Sequence, residues 1–84
     1  MSTLPQPSLA SLASAADIAA GAYLAQIPRT AVIVKRFVDA PLTGADYGSL
    51  KRAKAQAYGR LRVLRVRRDE AAQALFDAIL RGDA

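Results

Sequence analysis

The sequence predicts an all-α protein, a small helical bundle of three to four helices with a long basic C-terminal helix. Three observations lead to this prediction. Apolar residues recur at helical spacings of three and four from Leu9 to Ile27, and the same spacing returns from Leu50 to Ile79. The third observation is length, because 84 residues bury only a thin core and form at most one domain. We therefore expect a small protein whose thin core self-association would naturally supplement with further buried surface.

The first residues predict an arm followed by the first helix. Residues 1–7 contain two prolines and polar side chains, so we expect an extended N-terminal arm before a single small helical domain over residues 8–84. Ser8 is the expected N-cap, because its hydroxyl can accept a hydrogen bond from a free backbone N–H group of the first turn. The contact face predicted for this helix consists of Leu9, Leu12, Ala16, Ala20, Tyr23 and Ile27.

The segment over residues 30–38 is ambiguous. Pro28 ends the first helix or opens the next, because proline cannot donate within a helix interior but fits its first turn. The β-branched residues of the segment favour a strand, whereas a helix between Pro28 and Pro41 would also have a sensible length. An α+β alternative therefore stays open, with a short two-stranded sheet formed by residues 30–38 and 60–67.

A new helix is predicted to start at Thr43. Thr43 and Asp46 have the spacing of a capping box, and Leu42 and Tyr47 occupy the two positions of a hydrophobic staple. The carboxylate of Asp46 would also favour the positive end of the helix dipole. We therefore assign Asp46 a structural role rather than a catalytic one.

The second half of the chain keeps one helical phase. Its apolar stripe, interrupted by Arg68, consists of Leu50, Ala53, Ala57, Leu61, Leu64, Ala71, Leu75 and Ile79. Asp69 also has the character of a fresh N-cap, so a break between Arg67 and Asp69 is compatible with the pattern. Because Arg68 lies in the stripe, its head must reach solvent or meet a carboxylate, for which Asp39, Asp77 or an acid of a second subunit are candidates.

Local signals in the sequence define the C-terminal end of the last predicted helix. Ala71 to Arg81 is predicted to be helical, with an Asp77 to Arg81 pair at a spacing of four residues. Gly82 is the expected C-cap, because glycine adopts the left-handed conformation that ends many helices.

The basic charge is concentrated in one segment. Eight of the twelve lysines and arginines lie within residues 47–68, which contain no acid, whereas residues 69–84 carry one base and four acids. Like charges this dense repel one another unless they are solvated or face an anionic partner. Two other interpretations stay open: the arginine stems cover the rim of the core, or acids of the chain or of a second subunit neutralise them. The candidate binding residues are Lys51, Arg52, Lys54, Tyr58, Arg60, Arg62, Arg65, Arg67 and Arg68.

Several kinds of chemistry are excluded by composition. The chain has neither cysteine nor histidine, which rules out a serine or cysteine nucleophile assisted by histidine and removes thiolate metal ligands. Gly44 and Gly48 lack the spacing and the lysine of a phosphate-binding loop. We therefore expect no enzymatic activity, no cofactor and no metal.

Two functions fit what remains. The first is a small basic protein that binds nucleic acid through the phosphates along an arginine-rich helix. The alternative is a helical adaptor, inhibitor or self-assembling subunit that docks on an acidic protein surface or on another copy of itself. The use of alanine and arginine suggests a bacterial or phage coding sequence, and the absence of cysteine suits the cytoplasm. The alanine-rich helix with Asp17 near its centre argues against a membrane span.

Overall fold

The computed structural model, which describes residues 7–41 and 43–82, is a hairpin of two long helices. Helix α1 spans Leu9–Asp39 and helix α2 spans Tyr47–Leu80. The described residues contain no strand, so the all-α class is confirmed, whereas the expected three to four helices are replaced by two. No helix of the described part of the chain is long and apolar enough to cross a membrane.

The α+β alternative is wrong. Residues 30–38 lie within α1 and residues 60–67 within α2, so neither segment is extended. The hairpin does not pair the two segments either, because Phe37 packs against Tyr47 and Lys54 at the start of α2. The arm predicted over residues 1–7 lies outside the described residues except for Pro7.

Helix α1 continues through Pro28, where the sequence predicts a helix boundary. Pro28 is exposed, on the side of α1 that faces water. Its ring therefore does not enter the contact between α1 and α2. Residues Ile33 and Phe37 still face α2, so the contact surface extends beyond the proline without a change of phase.

The start of the second helix differs from the prediction. Helix α2 begins at Tyr47 rather than at Thr43, and its N-cap Asp46 makes no hydrogen bond through its side chain. Two successive turns occupy this connection: Gly44 N donates to the carbonyl of Pro41 at 3.0 Å, and Tyr47 N donates to the carbonyl of Gly44 at 3.2 Å. These bonds replace the expected capping box. A Cβ at Gly44 would lie 3.2 Å from the Pro41 carbonyl oxygen, so the tight turn favours glycine. Leu42 of the predicted staple is outside the described residues.

Helix α2 has no break between Arg67 and Asp69. The carboxylate of Asp69, instead of capping a new helix, accepts hydrogen bonds from Arg68 Nε and Nη2 at 3.0 and 2.9 Å. The phase of the residues that face α1 is the same on both sides of this point. Continuous packing therefore outweighs a local capping signal of about 1 kcal/mol.

The two helices meet along a surface, here called the seam, whose residues recur at alternating spacings of three and four. This is the heptad pattern of an antiparallel coiled coil. From α1 the seam residues are Leu9, Leu12, Ala16, Ala19, Tyr23, Gln26, Thr30, Ile33 and Phe37. From α2 they are Tyr47, Leu50, Lys54, Ala57, Leu61, Leu64, Arg68, Ala71, Leu75 and Ala78. All nineteen are at least partly buried, and every fully buried residue of the described chain is among them.

The expected contact faces are confirmed except at four positions, where the seam contains Ala19, Gln26, Lys54 and Ala78 instead of Ala20, Ile27, Ala53 and Ile79. Ile27 is 41% exposed and Ile79 is 55% exposed, whereas the neighbouring Gln26 and Ala78 are buried. The reason is the period: a seam between two supercoiled helices repeats every 3.5 residues, so a stripe extended at 3.6 drifts off it. Buried Gln26 donates from Nε2 to Thr30 Oγ1 at 3.2 Å, which satisfies a polar pair inside the seam.

Both predicted caps at the outer ends are present. Ser8 Oγ accepts a hydrogen bond from Ser11 N at 3.1 Å, which confirms Ser8 as the N-cap of α1. Gly82, at φ 73°, follows the last residues of α2 and donates its N–H to the carbonyl of Ile79. Glycine adopts this left-handed conformation without strain, so Gly82 ends α2 as expected.

Candidate nucleic-acid interface

Helix α2 carries the candidate binding residues on a rigid support. Between Lys51 and Arg67 the helix advances about 24 Å, at about 1.5 Å per residue. Seven of the nine predicted residues are exposed along this length, and they define what we call the basic surface. Its members are Lys51, Arg52, Tyr58, Arg60, Arg62, Arg65 and Arg67.

The basic surface has two sides separated by the seam. On one side, Tyr58, Arg62 and Arg65 line a groove together with the α1 residue Tyr23. On the other side, Arg60 and Arg67 line a second groove that is mainly apolar. The charge therefore wraps around α2, as its sequence spacing predicts, and one flat ligand cannot contact all of it at once.

The cations of the basic surface have no internal counter-ions. None of its six lysine and arginine side chains pairs with a carboxylate among the described residues. Lys35 instead pairs with Asp39 at 3.1 Å within α1, and Arg68 pairs with Asp69. Neutralisation by the acidic C-terminal region, one of the interpretations that the sequence left open, is therefore absent for these six side chains in the described part of the hairpin.

Lys54, the eighth predicted residue, lies in the seam rather than on the basic surface. Its Nζ atom lies 4.0 Å from the ring centroid of Phe37, whose ring is 5.3 Å from that of Tyr47. An ammonium over an aromatic face is attracted by the negative face of the ring. This cluster joins the helices next to the turn, so the main contacts of Lys54 are within the hairpin.

Arg68, the ninth predicted residue, also lies in the seam. Its guanidinium carbon is 4.4 Å from the ring centroid of Tyr23, and its carboxylate partner is the adjacent Asp69. The sequence had offered Asp39 or Asp77 for this role. Asp39 pairs with Lys35, and Asp77 accepts a hydrogen bond from Gln73 Nε2 at 2.8 Å. Arg68 is thus satisfied without a second subunit.

The groove beside Tyr58 combines an exposed ring with two guanidinium groups. Tyr58 is 48% exposed, and Leu61, Arg62 and Arg65 line the same groove. Aromatic rings can stack on unpaired bases, while guanidinium groups bind phosphate oxygens. The arrangement therefore has the components needed for a single-stranded segment as well as for a duplex backbone.

Sequence reasoning missed the contribution of Tyr23 to this groove. Tyr23 was expected only on the contact face of the first helix, which is correct, but its ring also reaches the groove between the helices. The spacing within α1 contains no signal for this second role. Finding it requires the register of the hairpin, which sets Tyr23 against the middle of α2.

The described hairpin also has a concave surface away from the basic surface. A concave surface at the turn is lined by Arg36, Asp39, Asp46 and Tyr47, where charges of both signs are mixed. No group of acidic side chains that could hold a metal ion occurs among the described residues. Comparison of the chain with protein families, with curated proteins and with solved structures found no match.

Proposed function

We propose that this protein is a non-enzymatic nucleic-acid-binding protein that contacts phosphates through the basic surface of α2. The observation that supports the proposal best is the set of six exposed cations without a carboxylate partner in the described residues. Holding so many like charges together on a rigid helix is unfavourable unless an anionic partner or solvent screens them. A phosphate backbone is the partner whose charge density matches them best.

The number of phosphate contacts is limited because the basic surface has two sides and a duplex lies against one of them. Duplex DNA carries roughly 14 phosphates over a length of 24 Å, so the helix meets more anions than it has cations. A duplex lying against the side of Tyr58 can contact three cations at once: Arg62, Arg65 and Lys51, which is seven residues before Tyr58 and so lies on the same side of the helix. Three contacts give a slope of about −2 to −3 in a plot of log affinity against log salt concentration.

Phosphate contacts position a protein on nucleic acid but carry little sequence information. We therefore propose binding that depends weakly on base sequence. The exposed ring of Tyr58 adds affinity for unpaired bases, since stacking on a base tolerates every sequence. Composition supports a bacterial or phage origin, and the cytoplasm is the compartment in which such a protein would meet nucleic acid.

A titration tests this function directly. Fluorescence anisotropy of labelled duplex DNA, duplex RNA and single-stranded DNA is followed at about 50 mM and 200 mM salt. We expect binding at the lower salt concentration and a loss of roughly fortyfold in affinity at the higher one. Absence of binding to all three probes at low salt would contradict the proposal.

The second candidate is an adaptor that docks on an acidic protein surface. Val63 and Val66, each nearly half exposed, lie among the arginines of α2. Apolar side chains do not bind phosphates, whereas a protein partner would bury them. Binding to a protein that survives high salt, without nucleic-acid binding at low salt, would favour this candidate.

A further inference from the structure

We propose that a second copy of this chain packs against the outer face of α1, so that the protein is a symmetric dimer. Next to the seam residues, α1 carries a second row at alternating spacings of three and four, which we call the outer stripe. It consists of Ala10, Ala13, Asp17, Ala20, Leu24, Ile27, Ala31, Val34 and Val38.

The outer stripe has the composition of a packing surface, yet six of its nine residues are exposed in the hairpin and only Ala13, Ala20 and Val34 are half-buried. Leu24 is 63% exposed and Val38 is 71% exposed, and Asp17 is the only charged residue among the nine. A heptad pattern on one side of a helix predicts one neighbouring helix. Two adjacent heptad patterns, on the seam and on the outer stripe, therefore predict two neighbours for α1, and α2 is the first.

The hairpin exposes enough surface to accommodate a partner through a standard interface. Its accessible surface is 6528 Å², whereas a compact monomer of 8.9 kDa exposes about 4,800 Å². The radius of gyration is 18.8 Å, against about 12 Å for a compact chain of this length, and the shortest dimension is 15 Å. The excess of about 1,700 Å² exceeds the roughly 800 Å² that each partner buries in a standard interface.

The occupant that fits is a second copy, placed through α1 rather than through α2. Contact between two copies of the basic surface would set like charges against each other, which is unfavourable. The outer stripe avoids this repulsion because it carries a single charge. Its larger residues, Leu24 and Ile27, stand at the middle of α1, so a two-fold axis there buries the same residues of both copies.

One antiparallel register suits the outer stripe best. With the two-fold axis between Leu24 and Ile27, each of these residues faces the other in the second copy, and the small Ala20 faces Ala31. Asp17 then lies beside Lys35 of the second copy. That neighbour offsets the otherwise unfavourable burial of a carboxylate in an apolar contact. The four helices form a bundle with both copies of α2 on the outside.

The first measurement is the mass of the full chain by sedimentation equilibrium, without nucleic acid, over a wide range of concentration. We expect a dimer of the 8.9 kDa chain and a melting temperature that rises with protein concentration. A helical species that stays monomeric throughout this range would overturn the proposal, as would an assembly larger than two. The result does not depend on whether the basic surface binds nucleic acid.

Matched variants locate the interface. Leu24→Glu should weaken dimerisation by about a hundredfold or more, because each copy buries one new carboxylate. Ile18→Glu is the control, since Ile18 is exposed on the same helix but outside the outer stripe. Circular dichroism reports whether each variant is still helical. Loss of the dimer in Ile18→Glu but not in Leu24→Glu would overturn the assignment.

A cross-linking experiment remains decisive if Leu24→Glu fails to fold. The chain contains no cysteine, so single cysteines can be introduced cleanly. An equimolar mixture of Leu24→Cys and Ile27→Cys should form a disulfide-linked dimer under mild oxidation faster than either variant alone. A mixture of Ile18→Cys and Val32→Cys should not. Equal rates in the two mixtures would contradict the proposed register.

Discussion

The guanidinium of Arg68 lies 4.4 Å from the ring centroid of Tyr23, and this contact joins the middle of α2 to α1. It explains why an arginine occupies a row of leucines and alanines. The stem of Arg68 fills space in the seam, its head covers the ring, and Asp69 binds the same guanidinium from the solvent side. The charge is therefore kept partly wet, with 37% of the side chain exposed.

The Arg68 and Tyr23 contact predicts a measurable coupling. Arg68→Gln and Tyr23→Leu, alone and together, should give a coupling energy of about 0.5–1 kcal/mol in urea unfolding at fixed protein concentration. Arg67→Gln is the matched control, because Arg67 lies on the groove remote from Tyr23. Its effect should add to that of Tyr23→Leu. An equal coupling for both arginines would show that the ring interaction is not specific.

The buried pair of Gln26 and Thr30 predicts opposite outcomes for single and double variants. Thr30→Val removes the acceptor of the Gln26 amide inside the seam and should lower the free energy of unfolding by about 1–3 kcal/mol. Gln26→Leu combined with Thr30→Val removes both polar groups and should recover that loss. Urea unfolding measures both. A double variant less stable than Thr30→Val would mean that packing, not hydrogen bonding, dominates at this layer.

The basic surface predicts how nucleic-acid binding responds to single sites. Arg62→Gln together with Arg65→Gln should reduce the steepness of the salt dependence by about 2, because two phosphate contacts are lost. Arg29→Gln with Arg36→Gln removes the same net charge from α1 and should change the slope little. Anisotropy titrations against salt distinguish the two pairs. Circular dichroism should be unchanged in both, since all four side chains are exposed.

Two glycines of α2 predict changes of stability with opposite sign. Gly59 lies in the helix interior, and a Cβ there would meet no atom within 4 Å. Gly59→Ala should therefore raise the free energy of unfolding by about 1 kcal/mol. Gly82→Ala should lower it by a similar amount, because φ is 73° at that position. Thermal unfolding of the two variants measures the contrast, and stabilisation by both would contradict the assigned cap.

Local signals in the sequence predicted the caps better than the boundaries between helices. Ser8 and Gly82 cap the outer ends as expected, because nothing there competes with them. At Pro28, Thr43 and Asp69 the signals for a break or a start were overridden. Each such signal contributes about 1 to 3 kcal/mol. A continuous seam in one phase contributes more, since it sums the burial of many side chains.

The residues of the candidate site, like the helix ends, were predictable from the sequence in part. Exposure of the seven residues of the basic surface follows from their positions outside the apolar stripe, which a helical wheel displays. The position of Arg68 in the apolar stripe was also predicted, whereas the seam position of Lys54 and the reach of Tyr23 into the groove were not. These depend on which residue of α1 faces which residue of α2.

The amino-acid order by itself determined that the chain is helical, where its charge is concentrated and which side of each helix is apolar, because these properties depend on neighbours within one or two turns. Tertiary contact decided that there are two helices instead of three or four, since only packing against a second helix compensates for a proline or an unused cap. It also decided which cations pack over an aromatic ring and which remain in solvent. The physical reason is that the 3.5-residue period of the seam arises only when two helices coil around each other.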